Sequence, residues 1–220
     1  VNNKIIFVSG IDTDIGKTIA TGWLAKKWRD NGINTITQKL VQTGSCGLSA
    51  DIKIHRQIMG TGLLPVDYQG LSCTAHYRAA VSPHLAASLE AKPLDLAQIE
   101  KATAYLCTHY QQVLIEGAGG LMVPLNNELL TIEYIARQKW PVILVTSARL
   151  GSINHSLLSL LALVHYGVPL HAIAWNSRDD ALNPIITADS RDFIRTRTLA
   201  MFPQARWYDI PILTSDLLKS

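Results

Sequence analysis

Short apolar runs that end at glycine or polar residues recur along this chain, and between them apolar residues return at helical spacing. Ile5-Ile6-Phe7-Val8 runs into Ser9-Gly10, and Ile33 to Leu40 alternates β-branched residues. Gln111 to Ile115 and Pro141 to Val145 are mostly apolar, and Leu170 to Trp175 ends at Asn176. Each run has strand length, and near-continuous hydrophobicity predicts strands buried on both faces. Helical spacing covers Ile19 to Arg29, stopped by Asn31-Gly32, then Asp51 to Met59, Leu85 to Glu90 behind Ser82-Pro83, Leu94 to Tyr110 and Ile153 to Val164. Further helix formers lie at Asp189 to Met201, a short segment surrounds Trp207, and a small helix is expected at Ser215 to Lys219. Gly60 to Val81 lacks a clear period and reads as loop, as does the Gly-, Ser- and Thr-rich stretch Val41 to Ser49. Strands separated by helices predict an α/β fold: a mostly parallel, twisted sheet with helices on both faces and ligands at the strands' carboxyl ends.

The first run changes the picture from architecture to chemistry. Gly10-Ile11-Asp12-Thr13-Asp14-Ile15-Gly16-Lys17-Thr18 joins a buried strand to a helix start. Unpaired N–H groups at such a start, with the helix dipole, favour phosphate; Lys17 can neutralise the outer phosphates and the Thr18 hydroxyl can ligate Mg²⁺. Five residues rather than four separate Gly10 from Gly16, so this is a variant phosphate loop. Thr13 and Asp14 lie within it, where main-chain donors matter most, and Asp14 serves either a substrate amine or a turn. Lys39, at the end of the second strand, reaches the same sheet edge as Lys17. Glu116 ends the third strand and is followed by Gly117-Ala118-Gly119-Gly120, small residues that let backbone approach phosphate. With Thr18 and Asp51 it completes a hard-oxygen set suited to Mg²⁺, although a helix-starting Asp is also a common cap. Gly151 to Asn154 opens a helix that either binds a carboxylate or is plainly capped by Ser152 or Asn154.

Composition narrows the rest. At 220 residues, 48% hydrophobic and 17% charged, the chain is expected to form one nucleotide-binding domain over residues 1–220. A net charge of +3 from dispersed Lys and Arg predicts anionic small-molecule partners, and neither nucleic acid nor membrane. Cys46, Cys73 and Cys107 form no C-x-x-C pair, which argues against a disulfide framework or a zinc site and for a cytoplasmic location. No charged segment leads into an apolar signal core, and Leu157 to Val164 is too short to span a bilayer. Among the histidines, His55, His76, His109, His165 and His171 show no metal-ligand spacing, and His84 and His155 read as helix-start residues. No Ser-His-Asp signature or Cys nucleophile supports covalent hydrolysis.

Taken together, the phosphate loop, Lys39-Leu40-Val41-Gln42-Thr43-Gly44, Ser82-Pro83-His84, Glu116-Gly117-Ala118-Gly119-Gly120 and Leu150-Gly151-Ser152-Ile153-Asn154-His155 occur in the order and spacing of the dethiobiotin synthetase family, which this chain resembles from residue 5 to about 176. The resemblance implies a P-loop NTPase-like sheet and an enzyme that joins CO₂ to 7,8-diaminopelargonic acid using ATP and Mg²⁺. It implies that Lys17, Lys39 and Thr13 serve catalysis. Nucleotide would be held by Asp14, Ile15, Gly16, Lys17, Thr18 and Ile19, with Asp51, Glu116, Gly117, Ala118 and Gly119, and by Asn176 at adenine. Thr18, Asp51 and Glu116 would bind the metal. Substrate would meet Lys39 and Thr43, together with Gly151, Ser152 and Asn154 of a neighbouring subunit, so that the active site is shared across a homodimer. Leu40 stands where the family usually has Pro, Ser177 where Asp often follows the adenine Asn, and Phe193 near an aromatic hydroxyl that some members use. A partition-type ATPase switch shares the loop and sheet and is the alternative from another class; within the same class, a paralogous ligase with a shifted substrate is a further alternative, and a cobyrinate-type ligase would need a further domain.

Overall fold

In the computed structural model, which describes residues 4–178 and 184–213, the apolar runs become the strands of one parallel sheet. In chain order the elements are β1 (Ile5–Gly10), α1 (Lys17–Asp30), β2 (Thr35–Lys39), α2 (Ala50–Met59), α3 (Pro65–Tyr68), α4 (Pro83–Leu89), α5 (Leu96–His109), β3 (Gln112–Gly120), β4 (Pro124–Asn126), β5 (Leu129–Leu130), α6 (Thr131–Gln138), β6 (Val142–Ser147), α7 (Ser152–His165), β7 (Leu170–Asn176), α8 (Pro184–Met201) and β8 (Arg206–Ile210). Six strands pair in the order β2-β3-β1-β6-β7-β8, each neighbouring pair parallel, and β4 and β5 form a separate antiparallel pair. All six residues of β6 are buried. Because successive side chains point to opposite faces, such a strand is covered on both sides. No helix among the described residues is long and apolar enough to cross a membrane.

The topology places the ligand crevice. From β1 the chain leaves toward β2 at one edge, and from β6 it leaves toward β7 at the other, so the connections diverge above the carboxyl ends of two adjacent strands. The loop that follows Gly10 sits at this divergence.

The elements depart from the sequence expectations in several places. β3 does not stop at Ile115 but runs nine residues to Gly120, because Gly10 pairs with Gly120 across β1 and the small residues keep the ladder going. Glu116 therefore lies inside a strand. Ser49, not Asp51, caps α2: its hydroxyl accepts the Ile52 N–H at 3.2 Å, and Asp51 sits in the first turn with its side chain released for other contacts. α7 starts from Gly151 in a left-handed conformation with no side-chain cap, so neither Ser152 nor Asn154 plays that part. The stretch Gly60 to Val81 holds the four-residue α3. The β4–β5 hairpin and α6 were not expected at all; α6 is a short helix with Ile132 and Ile135 buried, and Glu133 accepts the Leu130 N–H at 2.8 Å. Ser82 does precede Pro83 at the start of α4, but its hydroxyl lies 3.0 Å from His84 Nδ1 and caps no backbone group. The helix expected at Ser215 to Lys219 lies outside the described residues.

One polar cluster ties α2 to the α3 turn beneath the sheet edge. Arg56 donates from Nε and Nη2 to the two carboxylate oxygens of Asp67, at 2.8 and 2.7 Å, and Asp67 also accepts the Leu64 N–H. Both side chains are buried. Burial alone would raise the Asp67 pKa, but the hydrogen bonds and charge of Arg56 outweigh it and hold the carboxyl below its usual value. Asp67→Asn should therefore lower unfolding stability at pH 7 by about 3 kcal/mol, as expected when one partner of a buried pair is removed. A group with a depressed folded pKa stabilises above its unfolded pKa and loses that effect as pH falls. The gap between Asp67→Asn and the parent should hold from pH 8 to about 4 and narrow below it. Urea unfolding across that range checks both statements.

Candidate active site

The connection from β1 to α1 wraps into a cradle rather than a wide loop. Asp14 adopts φ 55° and Gly16 φ 96°, two left-handed residues that turn the chain back toward the start of α1. The backbone of Asp14 thus accounts for it as a turn residue. At Gly16 a side chain is excluded twice, by the positive φ and because a Cβ there would lie 2.3 Å from Asn176 Nδ2. Asn176, at the end of β7, donates that amide to the Ile15 carbonyl at 2.9 Å and so anchors the loop to the neighbouring half of the sheet. Among the described residues no side chain caps α1, which leaves its first-turn N–H groups directed at the cradle. Lys17 curls under the loop and donates to the Asp12 carbonyl at 2.8 Å. Burial lowers the Lys17 pKa; Glu116 works against that effect and Lys39 adds to it.

The adjoining group of charges is set by strand register. Lys39 and Glu116 are direct partners across β2 and β3, so their side chains leave the same face of the sheet side by side. The Lys39 ammonium donates to Glu116 Oε1 at 2.8 Å and to the Gly117 carbonyl at 2.9 Å, and it lies 2.6 Å from Asp51 Oδ2. Thr18 Oγ1, from the first turn of α1, donates to the same Glu116 oxygen at 3.0 Å. Burial disfavours a charged Lys39, but Glu116 and Asp51 more than offset it and raise its pKa. Burial likewise works against a charged Glu116, and Lys39 and His55 overcome it, holding the carboxyl far below the usual range. Thr18, Asp51 and Glu116 form an all-oxygen donor set of the kind a hard divalent cation prefers, and Lys39 already places a cation between the two carboxylates. The residues present fit Mg²⁺.

A cleft of ≈ 440 Å³ brings the sequence-predicted residues together: Thr13, Asp14, Gly16, Lys17, Thr18 and Ile19 on one side, Lys39, Thr43 and Asp51 on the other, and Glu116, Ala118 and Gly119 at its floor. Ile15 is buried and does not line the cleft, and Gly117 lies within β3 and does not line it either. Thr13 is exposed, with its N–H bonded to its neighbour Asp12. Gly151, Ser152 and Asn154 do not line the cleft of their own chain. Ser152 is turned inward, with its hydroxyl buried and its N–H donated to the Arg149 carbonyl, so its side chain is not presented to a ligand; Asn154 is exposed.

Sequence reading missed several participants. Arg149 forms an ion pair with Asp12 over the phosphate loop, and His155 Nδ1 stands 4.0 Å from the same carboxylate. Arg178 reaches the cleft. Gln42 Oε1 accepts the Ser49 hydroxyl at 2.5 Å and so couples the loop after Lys39 to the start of α2. His55, whose spacing in the sequence suggests no metal site, is 2.7 Å from Glu116 Oε2. A signal for His55 was present: it follows Asp51 by four residues, which puts both on one helix face.

A phosphate loop at the head of a parallel α/β sheet, with two converging lysines, defines a P-loop nucleotide-binding protein. Solved structures with this fold include the MinC:MinD cell division complex of Aquifex aeolicus, at TM-score 0.57 and 13% identity over 98% of this chain and 85% of that one. A ParA family ATPase from Chlorobium tepidum aligns at TM-score 0.54 and 11% identity over 98% of this chain and 88% of that one. At such identities the likeness is one of fold. Residues 4–206 match the family described as an AAA domain. Curated relatives are closer in sequence. The ATP-dependent dethiobiotin synthetase BioD 2 of Pasteurella multocida is 48% identical over 87% of this chain and 90% of its own length, and that of Haemophilus ducreyi 51% identical over 79% and 82%. The Chlorobaculum tepidum dethiobiotin synthetase is 44% identical over 88% of this chain and 81% of its own. The chain belongs to the dethiobiotin synthetase family of ATP-dependent ligases.

The cradle geometry makes Gly16 a sharp probe of the phosphate site. Gly16→Ala would have to displace Asn176 and strain the loop, so it should weaken binding of a fluorescent ATP analogue by about tenfold or more, corresponding to 1.4 kcal/mol or above, while the far-UV circular dichroism stays that of the parent.

Proposed function

We propose that this chain is a dethiobiotin synthase in the full sense, converting 7,8-diaminopelargonic acid, CO₂ and ATP to dethiobiotin, ADP and phosphate as a cytoplasmic enzyme of biotin synthesis. The reading is carried by the Lys39 ammonium, buried between Asp51 and Glu116 at the floor of the phosphate cleft, where a migrating phosphoryl group would pass. One substrate amine takes up CO₂ as a carbamate. A carbamate oxygen attacks the γ-phosphorus, ADP leaves, and a carbamic-phosphoric anhydride forms. The second amine then attacks the carbonyl carbon, the C–O bond to phosphate breaks, and the five-membered urea closes with loss of a proton. Phosphorylation is needed because the carbamate oxygen is otherwise too basic to leave.

The chain's own groups suit these steps. Backbone N–H groups from Asp14 to Ile19 receive the phosphates, and Lys17, released from the Asp12 carbonyl, neutralises them. Lys39 faces the carbamate and γ-phosphoryl oxygens, where negative charge collects in the transition state. Thr13 stands beside Gly119, 3.8 Å from where a Cβ on that glycine would lie, close to the transferring group. Thr18, Asp51 and Glu116 would hold Mg²⁺, which when bound neutralises phosphate charge. Gly117 and Ala118 let nucleotide approach the backbone, Asn176 borders the adenine, and Thr43 contacts the diamine.

A homodimer completes the site in this reading. Gly151 and Asn154 lie away from their own cleft, and α7 exposes Leu158, Leu161 and Val164 along one side, a face suited to burial against a second copy. The tail carboxylate of the substrate would meet the uncapped start of α7 from the neighbouring subunit. The partition-type switch has no support beyond the fold, since the MinD and ParA likenesses are at 13% and 11% identity.

Phosphate release with ATP and Mg²⁺ should depend on both the diamine and bicarbonate; release that ignores the diamine would sink the assignment. The lysines should fail differently. Lys39→Ala should lower kcat by about 10²-fold with ATP-analogue binding retained, whereas Lys17→Ala should weaken the binding itself. Steady-state rates beside calorimetric titration separate the two. Mixing inactive Lys39→Ala with an inactive Ser152→Pro, Asn154→Ala double variant should restore about a quarter of parent activity, because half the dimers are hybrids and each hybrid has one intact site. A fully active monomer at assay concentration rules the shared site out.

A further inference from the structure

Glu116 has two carboxylate oxygens, and they are treated differently. Oε1 faces the cleft and takes Thr18 and Lys39. Oε2 points away from it, toward His55 on α2, whose Nε2 lies at 2.7 Å. His55 is fully buried, and its other nitrogen, Nδ1, is 3.0 Å from Thr37 Oγ1 on β2. Behind Thr37 stands Arg56, which donates from Nη1 to the same hydroxyl oxygen at 2.7 Å and is itself held by Asp67.

One arrangement of protons satisfies every group in this chain. Arg56 can only donate, so Thr37 Oγ1 accepts from it and keeps a single O–H to give. The acceptor in reach is His55 Nδ1. A neutral imidazole that accepts at Nδ1 carries its proton on Nε2, where it meets the carboxylate of Glu116. Direction passes along the chain from a fixed guanidinium to the acid. A buried histidine on a helix usually satisfies only the core, but the group satisfied here is one of the two carboxylates around Lys39. The terminal torsion of a glutamate is soft, so a carboxylate held at one oxygen alone can swing. A second anchor on the other oxygen removes that freedom.

We propose that His55 is a positioning residue for Glu116: it binds Oε2 so that Oε1 is presented to Thr18, Lys39 and a divalent cation, and the Thr37–Arg56–Asp67 chain sets the tautomer and ring plane of the imidazole. The inference rests on the reading that Glu116 helps to hold Mg²⁺. Partners of this kind behind a metal ligand are worth about 10- to 100-fold in metal affinity.

The test is Mn²⁺ binding, followed by electron paramagnetic resonance, to the full chain saturated with a non-hydrolysable ATP analogue. His55→Leu, which keeps the volume and loses the donor, should raise the Mn²⁺ Kd by about tenfold or more. His55→Gln, whose amide nitrogen can stand near the place of Nε2, should recover most of that loss. Thr37→Val, which keeps the shape of Thr37 but frees the imidazole, should weaken Mn²⁺ binding by a smaller factor. In a Glu116→Gln background, His55→Leu should add no further loss, because the two act on one interaction. Mn²⁺ bound as tightly by His55→Leu as by the parent, or an undiminished His55→Leu effect on top of Glu116→Gln, overturns the proposal. Should thermal unfolding show that His55→Leu does not fold, Thr37→Val decides, and parent-like binding there overturns it. A Glu116→Gln protein that binds Mn²⁺ like the parent overturns the metal reading, and His55's role with it; tight binding lost on Glu116→Gln but not on His55→Leu leaves that reading standing and removes only this one.

Discussion

A buried ammonium shared between two carboxylates is the constraint around which this molecule is arranged. Lys39 comes from β2, Glu116 from β3 and Asp51 from α2, and no two of them are close in the chain. Leaving any one of these charges alone in the interior would be far more costly than its pairing is favourable, so the three elements must arrive together and in register. A slip of one residue between β2 and β3 would turn Lys39 and Glu116 to opposite faces of the sheet. The α2 cap at Ser49 matters for the same reason, since it starts the helix at Ala50 and so puts Asp51 in the first turn, with its carboxylate against Lys39.

The same constraint explains how the site is divided between rigid and adaptable parts. The floor is built on strands and a capped helix, and among the described residues its polar groups are held by several neighbours: Lys39 by three acceptors, Glu116 by three donors. The phosphate loop above it is held more lightly, by Lys17 on a loop carbonyl, Asn176 on the Ile15 carbonyl and Arg149 on Asp12. Those contacts join a cation or an amide to a group that an incoming polyphosphate could replace or compete with. In the proposed reaction, charge held below and exchangeable above would suit the transfer of a phosphoryl group, because groups already placed near the developing charge reorganise little when it appears.

Different parts of this organisation were legible to different degrees before any coordinates. Four of the five main strands were readable because a parallel sheet covered on both faces leaves continuous apolar runs, as in Val142–Ser147, and β2 was readable from its alternating β-branched residues. β8 was visible only as a segment around Trp207, since an edge strand with exposed positions lacks that mark. α6 and the β4–β5 pair escaped because elements of two to eight residues carry too few periods to stand out. At the site, Lys17, Thr18, Lys39, Asp51 and Glu116 were singled out by their places at loop, strand end and helix start. His55, Arg56 and Asp67 were not, because a lone buried histidine or ion pair announces nothing until its partners are known.

By itself the sequence determined the alternation of strands and helices, the phosphate loop between Gly10 and Thr18, and the family to which these motifs belong, because all of these are local in the chain or are patterns of spacing along it. Only the tertiary structure decided which charges meet. Whether Lys39 faces Glu116 depends on strand register, whether Asp51 faces Lys39 depends on where a helix is capped, and whether His55 is an idle core residue or the partner of an acid depends on groups eighteen and sixty-one residues away. Pairing of buried polar groups is a long-range condition, satisfied in three dimensions and unmarked in one.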